Sequence, residues 1–314
     1  MSGITVAVVG GRDVAKDLGK KGTSSDLTLF NQVRDGHAAT IVEPTQYPEK
    51  LPPLLFALAM ADRAVFAIPA LSREIAETAT ALDLADLPVR LALGGVGPEE
   101  VKKAFAGMRF VGEPAPPLDA AQLRTEIDGW ETPPLPGPTR VPLDHAFPVK
   151  GVGSVALGVV RGGPLHAHDK LRLYPTEREV EVKSIQVHDV EVKEAVTGDR
   201  VGVALRGIEA DELARGQVLA PAGSMATANV LRATAFRNCA YYRGTLGAGA
   251  QLQVAVGLQC VPALVEFGAG GALTLTADRP VAFAPGQTAL LADLSASGGS
   301  RMVGRATLSA PPQG

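Results

Sequence analysis

The first chemistry this sequence invites is phosphate binding. The stretch ITVAVVG at 4–10 is a short continuous apolar run that ends in Gly10 and Gly11. That is how a buried parallel strand delivers the chain to a nucleotide at the edge of an α/β sheet. A phosphate loop needs G-x-x-x-x-G-K-[ST]: backbone N–H groups surround the phosphates, the lysine neutralises charge and the hydroxyl holds magnesium. The sequence continues GGRDVAKDLGKKGTSSD, where Gly19-Lys20 is followed by Lys21 and Val14 stands at the place of the first glycine. Moving the frame to Gly22-Thr23 loses the lysine, so no register fits.

Other candidate groups are sparse. His166 and His168 in PLHAHDKL have i, i+2 spacing in a turn without a third ligand nearby, which favours an exposed loop over a metal site. His188 in VHDV reads as a strand-edge residue. Cys239 and Cys260 are too few and too far apart for a disulfide framework or a metal site, and read as small buried hydrophobes. No Ser/His/Asp or Cys/His grouping with catalytic spacing occurs.

The elements that must position these residues alternate at first. Strands are expected over 37–43, 63–68, 88–93 and 108–111, and helices over 47–61, 72–84, 98–106 and 119–130. Asp119 is placed to cap the last helix and Pro98 to open the one before it. This order implies a doubly wound sheet over 1–130. Five prolines in ETPPLPGPTRVP make 131–142 a stiff connector, with Trp130 packing at the domain edge before it. Residues 143–225 and 226–309 carry the rhythm of short strands and glycine turns of two β-domains, and 310–314 form a tail. In the first of these, Phe147, Val149, Val155, Leu157 and Val159 alternate as one buried face would. The phase slips along REVEVKSIQVHDVEV point to bulges in a bent barrel strand.

With 314 residues, 46% hydrophobic and 20% charged, the chain is long enough for two or three domains with sizeable cores. No apolar run reaches membrane-spanning length and MSGITVAVVGG lacks a signal-peptide layout, so a cytoplasmic location away from membranes is expected. A net charge of −3 argues against a generic nucleic-acid or DNA binder. Its distribution is uneven: 13 basic and 18 acidic residues up to Pro138, 11 and 12 from Thr139 to Met225, 6 and 3 thereafter. The positive final third reads either as an RNA-facing surface or as an ordinary imbalance.

Asp-His-x-Phe at 144–147, Gly-x-Gly-x-Val at 151–155, Arg161-Gly162, RVG at 200–202 and ARGQVL at 214–219 resemble domain II of the EF-Tu-type translation factors. SIQVHDVEVKEAVTGDRVG at 184–202 narrows the likeness to the selenocysteine-specific factor SelB and its archaeal paralogues. ADRPV at 277–281 and RMVG at 301–304 resemble words of the SelB-type third domain. The resemblance implies a P-loop-GTPase-like doubly wound α/β domain followed by two β-barrels, like domains II and III of EF-Tu.

Intact members use GTP and magnesium. GKKGTSSD at 19–26 resembles the segment after the P-loop helix, near switch I, as though the P-loop itself had been shortened away. The family's D-x-x-G is represented by 41–46, with Glu43, and its N-K-x-D by LALGGVG at 91–97. No carboxylate is left there to accept hydrogen bonds from guanine. Gly10, Gly11, Gly19, Lys20 and Glu43 are then remnants of a nucleotide site, and neither a nucleotide cofactor nor GTPase activity is expected.

By the same resemblance the aminoacyl end of a tRNA docks on domain II, at Asp144, His145 and Arg215. Two cationic groups and a carboxylate to hold the imidazole suit an anionic selenolate. The alternative is that Asp144 and Arg215 form a structural ion pair. Adjacent strand residues point to opposite faces, so Asp144 and His145 share a pocket only at a strand start or a bulge. The function expected is a monomeric SelB/EF-Tu-like homologue that binds aminoacyl-tRNA or the ribosome without hydrolysing GTP. The alternatives are a factor that holds GTP through a non-standard site and a protein-interaction scaffold that has lost tRNA. Calorimetric titration with GTP and magnesium is expected to give no heat of binding; micromolar affinity would overturn the reading of the N-terminal third.

Overall fold

The computed structural model describes residues 2–34, 36–133, 135–247, 249–268 and 272–310. Most of the tail expected at 310–314 lies outside them. The elements fall into three groups. The first contains β1 (Ser2–Val9), β2 (Lys20–Ser24), β3 (Thr28–Arg34), β4 (His37–Glu43), α1 (Pro52–Met60), β5 (Arg63–Ile68), α2 (Arg73–Ala85), β6 (Val89–Leu93), α3 (Pro98–Ala104) and α4 (Ala120–Asp128). They make a six-stranded sheet ordered β2-β3-β4-β1-β5-β6. The four strands from β4 to β6 run parallel, and β3 and β2 turn back antiparallel at one edge.

β1 is central, and its apolar run is explained by burial on both sides. Val6 and Val8 face a core shared with α4, while Ala7 and Val9 face the core beneath α1 and α2. Between β1 and β2 only a single 3₁₀ turn, Ala15–Asp17, replaces the helix a phosphate loop would open. Asp119 accepts from the N–H groups of Ala121 and Gln122 at the start of α4, as its sequence position predicted.

Two local expectations are corrected. The helix expected from residue 47 begins only at Pro52, because prolines at 48, 52 and 53 lack the N–H a helix interior requires. The strand expected over 108–111 is a 3₁₀ turn, Arg109–Gly112, that drops Phe110 edge-on against Phe66. Leu93 in β6 instead exchanges backbone hydrogen bonds with Pro116 and Leu118.

The second group comprises β7 (Val141–Val149), β8 (Gly153–Val159), β9 (Leu165–His166), β10 (Lys170–Tyr174), β11 (Arg178–Val187), β12 (Val190–Val192), β13 (Glu194–Ala195), β14 (Arg200–Arg206) and β15 (Val218–Ala220). The order β10-β15-β7-β8-β14-β11 closes through a β10–β11 pairing into a barrel. The phase slip in β11 is a register shift between Val182 and Ser184. The third group is β16 (Ala226–Asn238), β17 (Ala250–Val256), β18 (Gln259–Phe267), β19 (Leu273–Phe283), β20 (Thr288–Ala292) and β21 (Met302–Leu308). These close as β16-β19-β18-β17-β20-β21.

One expectation about the first barrel reverses. Phe147 is exposed and Val149, Val155 and Leu157 are half-buried, whereas Ala156 and Gly158 lie inward. The alternating apolar set faces out of the barrel, with Val159 buried against the α/β domain, while the interior is filled from the other strands by residues such as Leu143, Leu173, Val182, Ile185 and Val203.

The barrels are fixed to the α/β domain by shared core and by ion pairs. The core under α1 and α2 continues into Ala255, Leu258, Leu290, Ala292 and Met302 of the second barrel. Glu77 of α2 is buried and takes Arg301 at 2.6 Å, while the Arg301 N–H donates to the same carboxylate at 2.9 Å. Arg237 reaches Asp83 and Arg305 reaches Asp86. On the first barrel Arg161 pairs with Asp62, which also accepts the Thr5 N–H at 2.8 Å. Of the six basic residues after Ala226, three are thus committed to the α/β domain, so half of this positive charge is taken up by contacts between domains. Arg301→Met strands the buried Glu77 charge and is expected to lower the unfolding free energy by about 3 kcal/mol in urea titration. Adding Glu77→Leu should recover more than half of that loss; no recovery would mean that the pair is not the source.

Candidate functional site

Two places carry the residues singled out by the sequence. The first is the turn after β1. Gly10 has φ +91, and a Cβ there would lie 2.2 Å from the Ala67 carbonyl oxygen and 2.9 Å from the Phe66 ring. A Cβ on Gly11 would meet the Ala67 Cβ at 2.9 Å. The glycines serve close packing against β5. At the other corner a Cβ on Gly95 would stand 2.7 Å from the Pro69 carbonyl oxygen, so the 94–97 turn also closes onto the end of β5.

Glu43, at the end of β4, accepts the Asp13 N–H at 3.2 Å. A carboxylate oxygen therefore takes a backbone donor of the 10–14 turn. Burial pushes the Glu43 carboxyl above its usual range. Gly19 lies against the Asn31 backbone where β2 begins, and Lys20 is exposed on that edge strand. Gly10, Gly11 and Glu43 are brought together; Gly19 and Lys20 belong to a different surface.

The second place is the seam between the α/β domain and the first barrel. A register shift between Leu143 and His145 in the β7–β8 ladder is the bulge that lets Asp144 and His145 act together. His145 Nδ1 lies 2.5 Å from Asp144 Oδ2. The structural pair proposed between Asp144 and Arg215 is not the one formed. Arg200 of β14 donates to both Asp144 oxygens at 2.8 Å each, a bidentate clamp on a buried carboxylate. Arg215 donates from Nη1 to Asp26 at 2.5 Å and from Nε to the Asp144 carbonyl at 3.2 Å, with its guanidinium over the Phe56 ring of α1. Ser25 Oγ is 3.4 Å from His145 Nε2.

The chain Arg200–Asp144–His145–Ser25 therefore ends next to Asp26–Arg215, crossing the seam twice. Arg200, Ser25 and Asp26 were missed by sequence reasoning; their only signals were the words RVG and GTSSD. Burial alone would raise the Asp144 carboxyl, but Arg200 and then the His145 hydrogen bond hold it below the ordinary range. Asp26 is likewise lowered, with Arg215 outweighing burial.

Beside this network opens a cleft of about 1310 Å³. One wall is the outward face of β7, β8 and β14, with Phe147, Val149, Val155, Leu157 and Arg200; the other is the β2–β3 edge, with Lys20, Lys21 and Asn31. His188 also lines it, half-buried in the β11–β12 turn, and burial pulls its imidazole below the usual value. His166 is exposed and 3.0 Å from Glu194, and among the described residues no group of three His, Cys, Asp or Glu side chains could hold a metal. Both cysteines are free, with thiols raised by burial. Trp130 lies under the Arg63 guanidinium, 5.2 Å from its ring centroid. No helix among the described residues is long and apolar enough to cross a membrane.

An α/β domain followed by two barrels, with ion networks at the seams, is the architecture of three-domain translation factors. Comparison with known proteins narrows the class. The Elongation factor Tu domain 2 profile matches residues 153–220. An uncharacterised protein of Methanocaldococcus jannaschii is 35% identical over 300 residues, covering 94% of this chain and 97% of that protein. The selenocysteine-specific elongation factor of the same organism is 27% identical over 247 residues, 68% of this chain but only 51% of that factor. The structure of translation elongation factor SelB from Methanococcus maripaludis in complex with the GTP analogue GppNHp superposes with a TM-score of 0.82 at 21% identity, over 99% of this chain and 79% of that one. The chain belongs to the same family as the uncharacterised archaeal protein, a SelB-like branch of the EF-Tu-type translation factors.

Asp144 gives the seam a definite pH dependence. A carboxyl lowered by folding stabilises the protein above the unfolded pKa of about 4, and that contribution is lost as pH falls through the folded value. Asp144→Asn leaves Arg200 buried without its counter-charge, for an expected loss of about 3 kcal/mol at neutral pH. Unfolding free energies measured from neutral to acid pH should begin to converge for variant and parent only below about pH 4, and meet below the folded Asp144 value. A gap independent of pH would contradict the assignment.

Proposed function

We propose that this chain is a SelB/EF-Tu-like translation factor homologue that binds aminoacyl-tRNA in the cleft between the α/β domain and the first barrel, without hydrolysing GTP. The observation that carries the reading is the cleft itself. An apolar face with the exposed ring of Phe147 stands opposite Lys20 and Lys21, and it includes Arg200, whose guanidinium clamps the buried Asp144 beside His145. Exposed lysines supply sequence-independent attraction for a phosphate backbone, and an exposed aromatic ring offers a stacking surface for unpaired bases at an acceptor end. His145 and Arg215 are the polar side chains at the seam set to meet the aminoacyl moiety, with Asp26 holding Arg215 in place.

Independence from GTP is supported by the turns at 10–14 and 94–97, which are filled by β5 and its following residues, and by the Glu43 carboxylate on the Asp13 N–H. The residues left at these corners do not fit a magnesium nucleotide, since neither the P-loop lysine nor its hydroxyl is present. The test is tRNA binding by fluorescence anisotropy over a salt series, with charged and uncharged tRNA. Binding should prefer charged tRNA, weaken with salt and be unaffected by GTP and magnesium. Lys20→Glu with Lys21→Glu should cut the affinity and reduce the logarithmic salt slope by about one to two. Affinity indifferent to salt, and unchanged in a His145→Ala, Arg215→Ala double variant, would sink the proposal.

A further inference from the structure

A second cavity, of about 440 Å³, lies where the α/β domain, the proline-rich connector and both barrels meet. Its walls are mostly apolar: Leu55 and Leu58 of α1, Leu135 of the connector, and Val256 and Leu290 of the second barrel. The volume falls within the range of small-molecule sites. What sets it apart from a packing defect is Arg140.

Arg140 and Arg161 pair backbone to backbone, each N–H donating to the other's carbonyl at 2.7 Å, so two guanidinium-bearing residues lie side by side. Arg161 is fully engaged, by the Asp62 carboxylate and the Met60 carbonyl. Arg140 has no ion pair among the described residues, and its Nε is buried without a hydrogen-bond partner. A guanidinium does not shed its proton, so this side of the cavity keeps an uncompensated positive charge. The other polar groups of the lining are already used: Asp86 by Arg109 and Arg305, the Gln259 side chain by Ala282, and the Gln287 side chain by the Ala284 N–H.

We propose that this junction cavity binds a small amphipathic monoanion, with a carboxylate head on Arg140 and an apolar body along the α1 and second-barrel walls. One unpaired guanidinium matches one carboxylate, which its planar fork accepts bidentately. A phosphate dianion would leave a second negative charge buried without a partner, and a neutral apolar molecule would leave Arg140 as it is. Because all three domains contribute walls, occupancy favours their assembled arrangement.

Decanoate serves as the probe, titrated calorimetrically into the full chain, with decan-1-ol and inorganic phosphate as comparators. Decanoate should bind and raise the melting temperature; neither comparator should do so. Arg140→Met, which removes a charge without a partner, should melt no lower than the parent and bind decanoate about tenfold more weakly or worse. Leu58→Phe, which narrows the cavity from the α1 wall and keeps Arg140, should also lose binding. The proposal is overturned if decanoate fails to bind the parent, if it binds Arg140→Met equally well, or if decan-1-ol matches it. Phosphate binding at Arg140 in place of decanoate would make the site a simple anion site and would equally reject the proposal.

Discussion

The structure depends on carboxylates of the α/β domain meeting arginines of the barrels. Asp26, Asp62 and Glu77 each hold an arginine that arrives from a different part of the chain: Arg215, Arg161 and Arg301. Around them the apolar core runs without interruption from α1 and α2 into the second barrel. Burying charges is costly unless they are paired with good geometry, and these pairs carry several hydrogen bonds each. Their contribution is therefore to orientation: once formed, they allow the domains to seat in one way.

That constraint reinterprets the charge distribution. The acidic first third and the basic last third look like two surfaces for two partners, but three of the six basic residues of the last third pair with Glu77, Asp83 and Asp86 of the first. Lys20 and Lys21 lie exposed on β2, which follows the 3₁₀ turn Ala15–Asp17. Two features go with this short connection. The turn after β1 packs onto β5, and the β2–β3 edge becomes one wall of a cleft whose other wall is the outward face of the first barrel.

Much of this was legible in the sequence. Alternation of strands and helices, proline at the first turn of α3, Asp119 as a cap and the glycine-punctuated strands after the connector all follow from local rules, and the structure obeys them. The absence of G-x-x-x-x-G-K-[ST] is a property of the sequence alone. The misread elements have two causes: a local signal, the prolines at 48, 52 and 53, that outweighs the apolar pattern and delays α1, and tertiary packing that turns residues 108–111 inward to place Phe110 against Phe66.

The site divides along a different line. Sequence determined that Asp144 and His145 are adjacent, that an arginine follows in ARGQVL, and that Phe147, Val149, Val155 and Leu157 share one face. Only the tertiary structure decided that this face looks into a cleft, because a period of two defines two faces of a strand without saying which is inside. Only it decided that Arg200 holds Asp144 while Arg215 turns to Asp26, 189 residues away. Ion-pair partners are chosen by distance and desolvation in space, and neither quantity is written along the chain.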